Sequence, residues 1–363
     1  MKKRIILSVL LLAVAGGGIW LIARSMGDGP HLRAAMLALD QRDFSLANAE
    51  LAKHLKENPD DCDALLLSAQ TLRRAGSFPL ANAALREAEN KKGPRDTIEF
   101  ERRLTRLQQG DLAGAAEMFS TCEAAPNSPE TPLILEALIE GSLKMMIPTI
   151  MEELEDTRLE NRRTTLKADF ARALAAANLW LNLRTSSSDR VQGFLWRGKI
   201  HALGREFPTA EKDFQQALEI DERNAEARLI LAKSQMLHSP DQALMNLERL
   251  HRDDPSNEDT SFLVAVARHN LGRLDESAQI LDSLLESYPN NVDILLERGQ
   301  VALDKRQLDA AEHYLQKALA LNPNRPESNR IFGQFLQMSG RHGEAKTHFD
   351  KSKQIEAQRR KKP

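Results

Sequence analysis

Apolar residues along this chain recur with a helical period, and the helical stretches themselves recur every 34 residues. Phe194, Gly198 and His201 fall on one face of a predicted helix, and Ala210, Phe214 and Ala217 fall on one face of the next. Leu295, Gly299 and Ala302, followed by Ala311, Leu315 and Ala318, repeat the arrangement. Four ladders share the spacing: Ala47, Ala81 and Ala115; Leu247, Leu281, Leu315 and Phe349; Ala243, Ser277, Ala311 and Ala345; Pro255, Pro289 and Pro323. A period of roughly 20–50 residues is the mark of a repeat array, in which each unit buries its apolar face only by stacking on its neighbours.

Polar, mostly glycine-bearing breaks at 74–77, 109–112, 204–207, 271–274 and 339–342 split each unit into two antiparallel helices. Pro79, Pro208 and Pro240 fall at the start of second helices, where a missing N–H costs nothing. Pro255, Pro289 and Pro323 close their units, because proline cannot continue a helix. The pattern predicts eight units, at 28–61, 62–95, 96–129, 191–224, 225–257, 258–291, 292–325 and 326–359. In the third, Phe100, Leu104 and Leu107 sit one residue out of phase with Ala115 and Phe119, which predicts a register shift between its helices. Residues 130–190 keep helical periodicity but lose the ladder, and read as two degenerate repeats or a hinge. Pro148 is expected to open a helix there, and 185–189 a loop with a helix cap.

With its large apolar, small and aromatic or apolar positions in the first helix, its small–large–small second helix and its closing proline, the chain resembles the tetratricopeptide repeat family. Phe194, Gly198, His201, Ala210, Phe214 and Ala217 carry the match, as do Leu295, Gly299, Ala302, Ala311, Leu315, Ala318 and Pro323. The resemblance implies an all-α fold, a right-handed α-solenoid of helix–turn–helix repeats. Repeats are expected at 28–129 and 191–359, around the degenerate stretch 130–190.

The N-terminus reads differently. Met1-Lys2-Lys3-Arg4 precedes an uncharged apolar run, 5–23, whose 19 residues make a helix of roughly 28 Å, close to a hydrocarbon core of about 30 Å. The basic flank 1–4 orients this run by the positive-inside rule. The expectation is a transmembrane signal anchor preceding the solenoid, with the N-terminus in the cytoplasm and the repeats in the periplasm. The alternative is secretion after signal cleavage near Ala15.

Composition adds exclusions. Lys+Arg 50 against Asp+Glu 52 in 363 residues gives a net charge of −2, which argues against a nucleic-acid partner. Nine histidines show no metal-ligand spacing, so no metal and no cofactor are predicted. Cys62 and Cys122 fall in different units and read as unpaired thiols. The stretch 130–190 has no His and no Cys, so an enzyme is not expected. The basic tail 360–363 reads as a solubilising end to the last helix.

What the resemblance implies is a protein or peptide partner held on a concave face lined by first helices. One step from the interlocking positions, that lining is Leu195 and Lys199, Leu229 and Lys233, Phe262 and Val266, Leu296 and Gln300, and Arg330 and Gln334. The competing reading is that each leucine packs against the next repeat. The Lys, Asn and Arg set with which one family subtype grips C-terminal carboxylates is not assembled here. The expected function is a membrane-anchored scaffold in a bacterial envelope assembly, secretion or biogenesis complex. A cytoplasm-facing anchored adaptor in protein quality control is the alternative.

Overall fold

The computed structural model describes residues 29–153, 160–236 and 238–359. Among them are 18 α-helices and no strand. The chain divides into two units, Met1–Glu222 and Arg223–Pro363. The first unit holds five helix pairs: α1 (Pro30–Asp40) with α2 (Phe44–Glu57), α3 (Cys62–Arg74) with α4 (Phe78–Asn90), α5 (Arg95–Gln108) with α6 (Ala115–Ala124), α7 (Thr131–Glu153) with α8 (Glu160–Leu183), and α9 (Ser187–Leu203) with α10 (Phe207–Ile220). The second holds four: α11 (Ala225–Gln235) with α12 (Pro240–Asp253), α13 (Glu258–Asn270) with α14 (Leu274–Ser287), α15 (Val292–Asp304) with α16 (Leu308–Leu321), and α17 (Pro326–Met338) with α18 (His342–Arg359).

The ladders have steric causes. A Cβ added to Gly198 would come within 2.6 Å of the Phe214 ring, and one on Gly333 within 2.8 Å of Phe349. On Gly299 it would overlap Leu315. Each small residue in a first helix thus makes room for the bulky residue of its own second helix. The turns between paired helices obey the same period. Arg42, Gly76 and Gly110, and again Gly272, Arg306 and Gly340, take the left-handed conformation that ends a helix, and they are 34 apart. Helix starts are capped by side chains: Asn224 accepts from the Ala227 N–H at 2.9 Å and Asn257 from Thr260 at 2.9 Å.

One local reading gains a structural cause and another changes. The third pair has left-handed Gly110 and Gly114 in its turn and a second helix of 10 residues against 14 in its first, which accommodates the phase offset. Residues 131–153 and 160–183 form one pair of long helices, because α7 runs unbroken through position 148 for 23 residues. Ser186 caps α9 through the Asp189 N–H at 3.2 Å. The boundary between the two units falls at Glu222, not within 130–190.

The localisation reading is corrected. Residues 5–23, with the cleavage alternative near Ala15, lie outside the described residues; among those described, no helix is long and apolar enough to cross a membrane. The physical reason is visible in α7, which has the length but carries Glu136, Glu140 and Lys144 within about three turns. With no such helix among the described residues, the single-pass, periplasm-facing placement is withdrawn.

Glycine substitution tests the packing. A Cβ on Gly141 of α7 would overlap the carbonyl oxygen of Leu107 in α5, a backbone atom held in a helix, whereas nothing lies within 4 Å of one on Gly343. Gly141→Ala is expected to destabilise the first unit by about 1–3 kcal/mol despite alanine's better helix propensity. Gly343→Ala is expected to be neutral or stabilising. Thermal melts of the two variants read the difference directly.

Candidate functional site

The ten residues expected to face a partner fall on both units. In the second unit, Leu229, Phe262 and Val266 are half-buried, and Lys233 and Arg330 are exposed. These side chains stand at equivalent positions of α11, α13 and α17. Gln300 donates to Asp304 at 3.3 Å, and Arg330 donates to the Gln334 carbonyl oxygen at 3.4 Å. Leu296, by contrast, is 5% exposed and belongs to a core cluster with Leu295, Phe332 and Phe335. In the first unit, Leu195 is 2% exposed and Lys199 half-buried. The two leucines therefore pack, as the competing reading allowed, and the accessible apolar surface at these positions is Leu229, Phe262 and Val266.

His269 adds charge to the same first helices. Its ring nitrogens lie 2.7 Å from Glu297 and 2.7 Å from Asp304, so it ties α13 to α15. The hydrogen bond to Glu297, opposed by burial and helped by Asp304, raises its pKa to about 8.

The first unit holds a buried charged cluster, which sequence reasoning missed. Arg42, in the turn between α1 and α2, donates to Glu136 of α7 at 2.6 Å, 94 residues away. Arg74, at the end of α3, donates to the other oxygen of the same carboxylate at 2.8 Å. Arg73 donates to Glu101 at 3.0 Å and to Gln108 at 2.7 Å, and Gln108 in turn donates to Glu140. Arg184 holds Asp189 at 2.7 Å. Phe44, Trp180 and Trp196 stand around these groups, the two indoles edge to face at 5.1 Å.

Buried charge is stable only when paired, and here the pairing is dense. Burial pushes the Glu136 carboxyl up, but the guanidinium groups of Arg42, Arg74 and Arg73 outweigh it and hold the group at about 2. Glu140 lies one turn further on and has weaker partners. Burial and the Glu136 carboxylate push it up to about 7, against Arg42, Gln108 and Arg73. A sequence signal for this cluster did exist: Arg42 stands where Gly76 and Gly110 stand in the next two repeats. Cys62 and Cys122 are free thiols, and burial raises Cys122 to about 11, so it is unreactive at neutral pH.

Both shifted groups bind a proton more tightly in the folded chain. The stabilisation from Glu140 is present in full below its ordinary value of 4.5 and is lost as pH rises through about 7. That from His269 is present below 6.5 and lost as pH rises through about 8. Stability of the first unit is expected to fall by up to about 3 kcal/mol between about pH 5 and about pH 8 through Glu140 alone. Glu140→Gln is expected to flatten that decline, and His269→Gln to flatten the later one in the second unit. Hydrogen exchange of each unit against pH measures both.

Against known proteins, three tetratricopeptide-repeat family models match, at residues 32–97, 236–298 and 292–325. No curated protein matches. Among solved structures, a crystal structure of MamA is 19% identical, with a TM-score of 0.39, over 46% of this chain and 97% of that one. YrrB, described as a tetratricopeptide-repeat protein with an unusual peptide-binding site, is 23% identical, with a TM-score of 0.40, over 51% of this chain and 96% of its own. A thermophilic tetratricopeptide-repeat protein of Thermus thermophilus, TTC0263, is 27% identical, with a TM-score of 0.39, over 45% of this chain and 89% of its own. The chain is a tetratricopeptide-repeat protein, with repeats of that family at 32–97 and 236–325.

Proposed function

We propose that the chain is a protein-interaction scaffold whose second unit takes an extended segment of a protein partner along α11, α13, α15 and α17. The observation that carries the reading is the apolar surface left half in water by Leu229 of α11 and, at the equivalent position of α13, Phe262, with Val266 one turn further along α13, beside exposed Lys233 and Arg330. Covering such side chains is favourable by about 25 cal/mol per Å² of apolar surface. Neighbouring helices stand roughly 8–10 Å apart and an extended chain rises about 3.3 Å per residue, so the partner's apolar side chains fall about every third residue. Carboxylates between them complement Lys233 and Arg330.

The envelope-assembly, secretion or biogenesis setting rested on the membrane-crossing reading, as did the anchored quality-control alternative; neither is part of the proposal.

Selection of a displayed peptide library on the full chain tests it. Enriched peptides are expected to combine spaced apolar residues with acidic ones. They are expected to bind Leu229→Glu/Phe262→Glu at least about tenfold more weakly, since each lost apolar contact is worth about 1.5–3 kcal/mol when fully buried. The melting temperature of this variant should stay near that of the parent. Peptides that bind both proteins equally would contradict the site. Leu296→Glu is unsuitable for this purpose, because a charge at a buried core position unfolds its repeat.

A further inference from the structure

The surroundings of Arg42 have the form of a ligand site. Its guanidinium carbon lies 5.3 Å from the Phe44 ring centroid, 5.9 Å from that of Trp180 and 5.3 Å from that of Trp196. Glu136 accepts from Nη2 at 2.6 Å, and Asp189 stands 3.6 Å from Nη1, which has no hydrogen bond. Three aromatic rings and two carboxylates around one planar cation are what selects a guanidinium over an ammonium: the rings take the flat faces and the carboxylates the fork of N–H donors.

Each wall of this cage is held by something other than Arg42. Glu136 is gripped by Arg74 at 2.8 Å and Asp189 by Arg184 at 2.7 Å. The Trp180 indole N–H donates to the Asp189 carbonyl at 2.8 Å, and Trp196 lies edge-on to Trp180. The Phe44 ring faces Arg74 at 4.8 Å. The occupant is the member under strain. Arg42 has φ 59°, a left-handed conformation that costs a side-chain-bearing residue free energy and that glycine adopts freely. Arg205 and Arg306 share that conformation with their side chains in solvent, so the backbone alone does not demand a buried arginine.

We propose that the first unit contains a preformed guanidinium-binding site, built by Phe44, Glu136, Trp180, Asp189 and Trp196, which Arg42 fills in cis as a plug. The inference concerns the first unit and is independent of the peptide-binding reading of the second.

Chemical rescue tests it. Arg42→Gly empties the cage while leaving a residue that accepts φ 59°. In the full-length variant, ethylguanidinium at millimolar concentration is expected to raise the melting temperature saturably. Ethylammonium at equal ionic strength should not, and the parent protein should respond to neither. If the variant is unfolded alone, the readout becomes recovery of helical circular dichroism on adding ethylguanidinium. Adding Trp196→Leu to the variant is expected to abolish the response. The proposal is overturned if parent and variant respond alike, if ethylammonium serves as well, or if no response is seen in either readout.

Discussion

Two paired helices reach the separation this repeat needs only where one of them contributes almost no side chain. Gly198 under Phe214 and Gly333 under Phe349 supply that absence, and Gly299 under Leu315 does so between them. With the pair fixed, its outward side chains fall at set positions, and stacking brings equivalent positions of neighbouring first helices together. Everything else follows from what those positions hold. In the second unit they hold Leu229, Phe262 and Val266, partly in water. The first unit instead keeps Arg74 at the end of α3, Glu136 within α7 and Asp189 in the first turn of α9 almost wholly out of water.

That difference is electrostatic in origin. A buried guanidinium or carboxylate is tolerated only when its partners are fixed, and breaking one such pair typically costs about 3–5 kcal/mol. Arg42 and Arg74 share the Glu136 carboxylate between a turn of the first pair and the end of a helix of the second, joining elements far apart in sequence. The outcome is a face closed by its own residues. Glu140 stands at the margin of that arrangement, with fewer cations to balance its burial, so it carries the titration near neutrality. The second unit ties its helices by lighter means, such as His269 between Glu297 and Asp304 and Arg298 on Asp282 at 2.7 Å.

The helix pairs were legible in the sequence because their cause is local and periodic: a small residue, a bulky one and a proline return every 34 residues. The phase slip in the third pair was legible for the same reason. The long α7–α8 pair was not, because Pro148 suggested a helix start and nothing nearby showed that the helix continues. The ionic cluster was hidden more deeply. Arg42 and Glu136 are 94 residues apart, and an arginine in a turn looks like any solvated charge until the fold brings the carboxylate to it. Leu195 and Leu296 sit at positions that look outward by count, yet neighbouring side chains cover them; burial there depends on the next repeat, not on the local period. The apolar run 5–23 gave a reading of location that the described helices do not share.

The central claim is that the first unit's charged and aromatic cluster is closed over by its own side chains, while the second unit leaves apolar side chains of its first helices partly in water. Hydroxyl-radical footprinting of the full chain reads side-chain accessibility residue by residue and tests this most directly. The account predicts strong protection of buried Trp180 and Trp196 together with ready labelling of half-buried Phe262. Ready oxidation of both tryptophans in the folded chain, or protection of Phe262 equal to theirs, would contradict it.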